Sequence, residues 1–339
     1  MSKEHEMPEK KSSVGVYVWR LLIIVTALTA VLYAVVVAFP HNRMYKTTAS
    51  VVLREPDKSI TLGFVGDIML ARGIPISIEK YGSGDSQFIF SKLEGLKKYD
   101  VLFGNLEGVI SDKGKNVGSI YSFRMDPIFA PLLRRVGFDV LSVANNHSGD
   151  WSVTAFADSI NKVRSAGIKT AGGGLNIIEA TSPSIIEVKG KQIGFIGFSD
   201  VGPGWLRAND TTAGILIVGN NDAEIISEAK DGVDVLIVSY HFGEEYKTES
   251  NNRQQMIARG AIDAGADIVI GHHPHVVQEI EVYKDGLIAY SLGNFIFDQS
   301  FSEETMRGML LEIVINEDGT FSYHGKVVQM NEWYQPEIL

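Results

Sequence analysis

The sequence predicts an α/β body built on mixed sheets covered by helices, preceded by one N-terminal apolar span. Three observations carry that expectation. From Ile60 onward, apolar strand-like runs alternate with amphipathic helical stretches, a pattern that gives parallel strands joined by right-handed crossovers. Three pairs of β-rich runs are separated only by short turns, so antiparallel hairpins are mixed in. Five strand-like runs also end in imidazole, carboxylate or amide side chains, the ligand types that divalent transition metals prefer. Binding groups in open α/β sheets gather beyond the carboxyl ends of strands, so these five ends point to one shared metal centre.

Taken in order, the chain opens with a short tail, residues 1–20, and then residues 21–39, LLIIVTALTAVLYAVVVAF, which carry no charge. At ~1.5 Å per residue a helix of that length covers ~28 Å, close to the hydrocarbon thickness. Tyr17, Trp19 and Arg20 on one side and His41, Arg43 and Tyr45 on the other suit the two interfaces. A buried core helix would show a polar stripe. A cleaved signal peptide would have an apolar region of ~7–15 residues ending in small-x-small, which VVVAFPHN does not supply. A retained single-pass anchor is the expectation. Lys3, Lys10, Lys11 and Arg20 precede the span, and Arg43, Lys46, Arg54 and Lys58 follow it. The positive-inside count is thus a tie and leaves orientation open.

Residues 40–59 read as a polar stalk, and 60–339 as the folded body. Strands are expected over 60–65, 101–103, 139–143, 168–171, 184–188, 193–198, 233–239 and 268–270. Helices are expected over 87–97, 127–136, 152–166, 222–229 and 252–264. The hairpins are IIEVKGKQIGFIGF with a Lys-Gly-Lys turn, IEVYKDGLIAYSLGNFIF with a Lys-Asp-Gly turn, and 309–315 with 322–328 across NEDGT. AGGG at 171–174 lacks the helix-opening Lys-Ser/Thr of a phosphate loop and reads as a turn.

Composition narrows the function. With no cysteine in 339 residues there are no disulfides, thiolate metal sites or cysteine nucleophiles. The net charge is −10; residues 1–46 carry about +3, which leaves about −13 for the rest. An acidic body without a basic cluster is unsuited to nucleic acid, so no nucleic-acid partner is expected.

The candidate ligands follow from position. Asp67 comes after ITLGFVG, where a helix N-cap is the alternative role. Asn105 and Glu107 close DVLFGNLE, with an exposed turn as the alternative. Asn145, Asn146 and His147 are three polar residues directly after an apolar strand, more than one cap can use. His241 ends VDVLIVSYH, where a hydrogen-bonded core histidine is the alternative. In GHHPH, Pro274 favours extended backbone at His273. His273 and His275 are then expected to face one site and His272 to point elsewhere.

These residues resemble the calcineurin-like metallophosphoesterase pattern: an acid after the first strand, a bridging acid, an Asn-His pair, a later histidine and a closing His-x-His. More closely, GDIML, GNLEG, ANNH, HFGEEY, GADIVIGHHPHVVQ and YSLGNFIFD resemble the CapA/PgsA family of capsule and poly-γ-glutamate synthesis proteins over roughly residues 60–300. The resemblance implies a metallophosphatase-like α/β/β/α sandwich and one or two divalent ions of Mn, Fe or Zn type. It implies that Asp67 binds one metal, Glu107 bridges, Asn146, His241 and His273 hold the second metal, and His275 returns to the first. His147 becomes the general acid or leaving-group stabiliser. It further implies an extracytoplasmic body on the cell membrane, a cytoplasmic tail at 1–20, and an anionic polymer such as poly-γ-glutamate as partner. Other membrane subunits, including an ATP-dependent ligase, belong to the same expectation. Two departures weaken the first metal position: Asp-x-His is here Asp67-Ile68-Met69, and the bridging Asp is the longer Glu107. A thioether is a poor ligand for hard divalent ions, so a mononuclear or empty centre stays an alternative, as does a non-catalytic role. Arg124, Arg134, Arg135 and Arg253 are the cations expected to offset the acidic body near a polyanion.

Overall fold

The computed structural model describes residues 19, 20, 22, 25–29 and 58–339. By internal contacts the chain divides into two units, Met1–Pro56 and Asp57–Leu339. Of the expected membrane span, only residue 22 and residues 25–29 are described, and they are helical; the remainder lies outside the described residues. The hydroxyls of Thr26 and Thr29 donate to the carbonyls of Leu22 and Val25 at 2.8 and 2.9 Å, so both are satisfied within the helix itself. No helix among the described residues is long and apolar enough to cross a membrane.

The second unit holds an eight-stranded and a six-stranded sheet. The strands, in chain order, begin with β1 (Ile60–Ile68), β2 (Val101–Leu106), β3 (Val140–Ser142), β4 (Lys169–Ala171), β5 (Ser184–Val188), β6 (Lys191–Ser199) and β7 (Val235–His241). They continue with β8 (Ile268–His272), β9 (Ile280–Tyr283), β10 (Gly286–Ala289), β11 (Asn294–Ile296), β12 (Arg307–Ile315), β13 (Phe321–Met330) and β14 (Pro336–Ile338). The first sheet runs β14-β13-β12-β1-β2-β3-β4, with β11 also beside β1. The second runs β9-β10-β8-β7-β6-β5. In the first sheet β1, β2, β3 and β4 are parallel, and β12 to β14 join antiparallel. In the second, β6, β7, β8 and β10 are parallel, flanked by antiparallel β5 and β9. The three expected hairpins are β5–β6, β9–β10 and β12–β13.

Burial fixes the layers. Leu62 and Phe64 of β1, Val101 and Phe103 of β2, Phe195 of β6, Ile237 of β7 and Ile270 of β8 form one buried cluster, so the two sheets pack face to face. Phe103 stacks on Phe195 at 5.7 Å across that interface; each fully buried Phe contributes about 1.5–3 kcal/mol. The outer face of the first sheet, through Val65, Leu102 and Leu141, packs on α1 (Gly73–Tyr81), α2 (Phe129–Val136) and α3 (Ser152–Ser165). After the single turn α4 (Ile177–Thr181) come α5 (Asp222–Asp231) and α6 (Asn252–Asp263), which cover Ile196, Leu236, Val238 and Val269 on the second sheet. The order is helix, sheet, sheet, helix.

Some expectations change. Residues 87–97 are not an α-helix: they form tight turns at Ser86–Phe90 and Leu96–Lys98, interrupted by Gly95 at φ 74°. Helix α1 was concealed by its glycine, proline and isoleucines; Pro75 falls in the first turn, where a missing N–H costs nothing. Strand β1 runs past Val65 through Asp67, and the N-cap of α1 is Arg72, so Asp67 is no helix cap.

Candidate metal centre

Parallel register brings the ligand-type residues to one level. Asp67 of β1 sits beside Asn105 of β2 and Asn294 of β11, and His241 of β7 sits beside His272 of β8. Asp67, Asn105, Glu107, His241, His272, His273 and His275 are all buried. The two sheets thus deliver acids and amides from one side and imidazoles from the other.

Gly66 makes this level possible. An ideal Cβ there would lie 1.9 Å from the carbonyl oxygen of Gly293. The same carbonyl accepts the Asp67 N–H at 2.9 Å. Segment 290–293 crosses from β10 in one sheet to β11 in the other. Gly271 of β8 and Gly308 of β12 approach it as closely: their Cβ atoms would meet Tyr290 O and Asn294 O at 2.0 Å.

Asp67 accepts from Asn105 Nδ2 at 2.8 Å and from the His273 N–H at 3.2 Å, with Nδ1 of His272 and of His275 each 3.3 Å from its oxygens. Asn145 donates to Asn105 Oδ1 at 3.2 Å and Leu106 O at 2.8 Å, so it supports the floor of the site. Asn146 Oδ1 lies 2.8 Å from His241 Nε2. His275 donates Nδ1–H to Asn294 Oδ1 at 3.0 Å, leaving Nε2 at 3.7 Å from Glu107. His147 donates Nδ1–H to Asp150 at 2.8 Å, directs Nε2 toward Glu107 at 3.8 Å and packs, tilted by 33°, on Phe123 with ring centroids 3.9 Å apart.

The GHHPH segment departs from its expected geometry. His273 and His275 have φ 99° and 59° rather than extended backbone. His272 points into the site, toward Asp67. Two left-handed residues around Pro274 turn the chain back on itself, so three successive imidazoles reach one region. Met69 is buried in the helix-side cluster, and its sulfur accepts the Ala71 N–H at 3.1 Å. Asp150, Asn294 and Glu245 were not singled out from sequence, although Asn294 lies within YSLGNFIFD and Glu245 within HFGEEY.

The charges follow from burial and neighbours. Burial alone would raise Asp67, but hydrogen bonds with His272 and His275 outweigh it and hold the carboxyl well below its usual range. Burial pushes Glu107 well above its usual value, against the charge of His275. His241 is lowered by burial and then by His273, and His273 is lowered to about 4 by burial and then by His275. Burial opposes charge on His275 as well, yet the Glu107 charge and the Asp67 contact raise it to about 9. His241 and His273 therefore stay neutral, the form that binds metal, while His275 must release a proton on binding.

One ligand atom from each of Asp67, Glu107 and His241 lies within 4.8 Å of the others. Both carboxylate oxygens of Glu107 and Nδ1 of His273 are buried without a hydrogen-bond partner. Such groups cost about 1–3 kcal/mol each when unsatisfied, and a cation would satisfy them. Carboxylate, amide and imidazole donors suit an ion of Mn, Fe or Zn type, so the residues fit the group.

Fold and site together define a layered α/β protein with a buried imidazole–carboxylate cluster at the carboxyl ends of its strands. Residues 61–299 match the family described as bacterial capsule synthesis protein PGA_cap, and the chain belongs to that family. It is 34% identical to PGA biosynthesis protein CapA of Bacillus subtilis (strain 168), over 81% of this chain and 73% of the relative. It is 33% identical to capsule biosynthesis protein CapA of Bacillus anthracis, over 89% and 74%. Among solved structures, a hypothetical protein from Thermus thermophilus aligns with TM-score 0.49 and 17% identity, covering 80% of this chain and 99% of that one. The NAD nucleotidase of Haemophilus influenzae aligns with TM-score 0.44 and 9% identity, over 83% and 53%.

Proposed function

We propose that this protein is a membrane-anchored component of poly-γ-glutamate (capsule) biosynthesis or export, with a divalent metal centre of metallophosphoesterase type in an extracytoplasmic body. Family membership and the names of the two Bacillus relatives support the polymer pathway. The observation that carries the metal centre is the buried, unpartnered Glu107 carboxylate within 4.8 Å of Asp67 and His241. Asp67, Glu107, Asn146, His241, His273 and His275 are the proposed ligands. A bound ion would polarise a phosphoryl or acyl oxygen and lower the pKa of water. The chain's own contribution is to hold those ligands, to keep His241 and His273 neutral and to exclude solvent from the floor. The partners on this reading are the membrane, the anionic polymer and other membrane subunits, including an ATP-dependent ligase.

Polymer binding must overcome an acidic body. Of the four arginines considered, Arg134 and Arg253 are engaged by Asp139 and Asp200, and Arg135 donates to Gln87. Arg124 lies 3.6 Å over the Trp151 ring. Of these four, Arg124 and Arg135 have no carboxylate partner among the described residues, and with the metal centre they are the proposed positive elements for a polyanion.

A second reading, an active metal-dependent hydrolase of an envelope substrate, is favoured by His147. Its Nδ1–H is committed to Asp150, and its Nε2 faces the cluster, where the imidazolium form would give the Nε2 proton to a leaving oxygen and return to the neutral ring.

The test is metal analysis of the full-length chain beside Asp67→Asn and Glu107→Gln, with poly-γ-glutamate binding measured with and without chelator. Bound metal in the parent and at least about tenfold weaker retention in both variants are expected. A metal-free parent sinks the centre; equal polymer affinity after chelation removes the ion from polymer binding. For the hydrolase reading, His147→Ala should lower turnover of a chromogenic phosphoester by about 100-fold or more. No turnover by the metal-loaded parent leaves the non-catalytic role.

A further inference from the structure

At the strand ends opposite the ligand cluster, the segment expected as a helix over 87–97 makes two tight turns instead. A groove of about 470 Å³ lies between those turns and α2, within the ~300–1,000 Å³ usual for small-molecule sites. Phe90, Leu93, Leu96, Leu132 and Val136 give it an apolar lining, and Phe90, Leu96 and Leu132 are buried. Gly95, on its edge, has φ 74° and nothing within 4 Å of an added Cβ, so no side chain closes the groove there. The turns lead into β2 and α2 leads into β3, at the amino ends of both strands. The same end holds the start of β1, because Asp100 exchanges backbone and side-chain hydrogen bonds of 2.8 Å with Thr61.

The charge around this groove runs against that of the body. Lys97 and Arg135 line it, Lys92 stands between the lining residues Ser91 and Leu93, and no aspartate or glutamate lines it. Four other grooves on the body each carry at least one carboxylate. Arg135 donates to the neutral Gln87 amide oxygen at 3.1 Å, and neither it, Lys92 nor Lys97 has a carboxylate partner among the described residues. The adjacent cations are engaged: Lys98 pairs with Glu312 at 3.0 Å and Arg134 with Asp139. Glu94, between Leu93 and Gly95, is exposed and outside the lining.

An apolar floor under unpaired cations selects an amphipathic anion. The floor favours a molecule with a single charged end over a chain charged at every residue, because each carboxylate set against apolar side chains loses hydration without a partner. We infer that this groove binds the acyl chain of a single-chain anionic lipid, with the anionic head between Lys97 and Arg135. The site shares no residue with the metal centre and does not depend on it.

The test is photolabelling of the full-length chain in neutral phosphatidylcholine nanodiscs. The probe is a long-chain alkyl phosphate with a diazirine in its tail, and adducts are mapped by mass spectrometry. Adducts are expected at 90–96 and 132–136 in the parent and in the control Glu94→Gln. Lys97→Gln with Arg135→Gln should lower them about fivefold, the combined effect of two exposed ion pairs. Leu93→Trp, which fills the floor and leaves the charges intact, should lower them as much. Unlabelled alkyl phosphate should compete, and each added methylene should strengthen competition by up to about fourfold. The uncharged alcohol of equal chain length should compete about fivefold less well. Adducts confined to other segments, or undiminished in both variants, would overturn the site. Equal competition by the alcohol would overturn the anionic head. Displacement of the probe by poly-γ-glutamate at equal charge concentration would overturn the lipid and assign the groove to the polymer.

Discussion

Replacing Gly66 by alanine tests the fold and the site at once. The added Cβ would sit 1.9 Å from Gly293 O, and ordinary contact begins near 3.4 Å, so β1 and the crossing segment must separate by about 1.5 Å. The Asp67 N–H to Gly293 O bond, now 2.9 Å, cannot survive that displacement. Overpacking of this kind costs about 1–3 kcal/mol, and a lost buried hydrogen bond adds about 1 kcal/mol, about 2–4 kcal/mol in all. For a body of this size the melting temperature should fall by about 4–8 °C. Asn294 leaves its place beside Asp67, so His275 loses its orienting acceptor and metal retention should drop by about tenfold or more. Differential scanning calorimetry and elemental analysis measure both. Gly260→Ala, in α6 with nothing within 4 Å of its Cβ, is the control and should leave the melting temperature equal or higher. A Gly66→Ala protein that melts within about 1 °C of the parent and keeps its metal would refute the close-approach argument.

Other perturbations follow from single contacts. Asp150→Ala removes the acceptor of the His147 Nδ1–H and the Phe123 N–H; histidine-selective 15N NMR should show His147 leaving its single tautomer, and an unchanged spectrum would dismiss the orienting role. Glu312 is held down to about 2, chiefly by its hydrogen bond with Lys98. The stability it gives is complete above its ordinary value of 4.5 and is lost as pH falls toward about 2. Glu312→Gln should therefore flatten the decline of melting temperature across that window by about 2 °C, allowing about 1 kcal/mol after solvent screening; an acid limb as steep as the parent's would refute it. Asn251 caps α6 in a reciprocal box with Gln254. Asn251→Ala should cost about 1 kcal/mol in denaturant unfolding, and a midpoint equal to the parent's would show that the helix does not need the cap.

The layered architecture was legible because buried parallel strands such as VDVLIVSYH write themselves as continuous apolar runs, and hairpins announce themselves by Lys-Gly-Lys and Asp-Gly turns. Strand-end positions also made Asp67, Glu107, Asn146, His147 and His241 visible as candidates. What sequence periodicity could not reveal was set by tertiary contact. Residues 87–97 have helical spacing, but Gly95 adopts φ 74° and splits them into turns. The His-Pro-His backbone was expected to be extended from local preference. Instead the Asp67 carboxylate accepts the His273 N–H, and left-handed residues flank Pro274. Asp150 gave no periodic signal because it acts through His147 three residues earlier, on a turn.

The proposed ligands come from both sheets: Asp67 from β1 on one, His241 from β7 on the other. An ion held between them would act as a staple across the sandwich interior. Its binding energy would then become part of the energy that keeps the body folded, about 2.7 kcal/mol when free ion exceeds its dissociation constant a hundredfold. Thermal endurance of this domain would rise and fall with the metal content of its surroundings, whether or not the centre ever turns over a substrate.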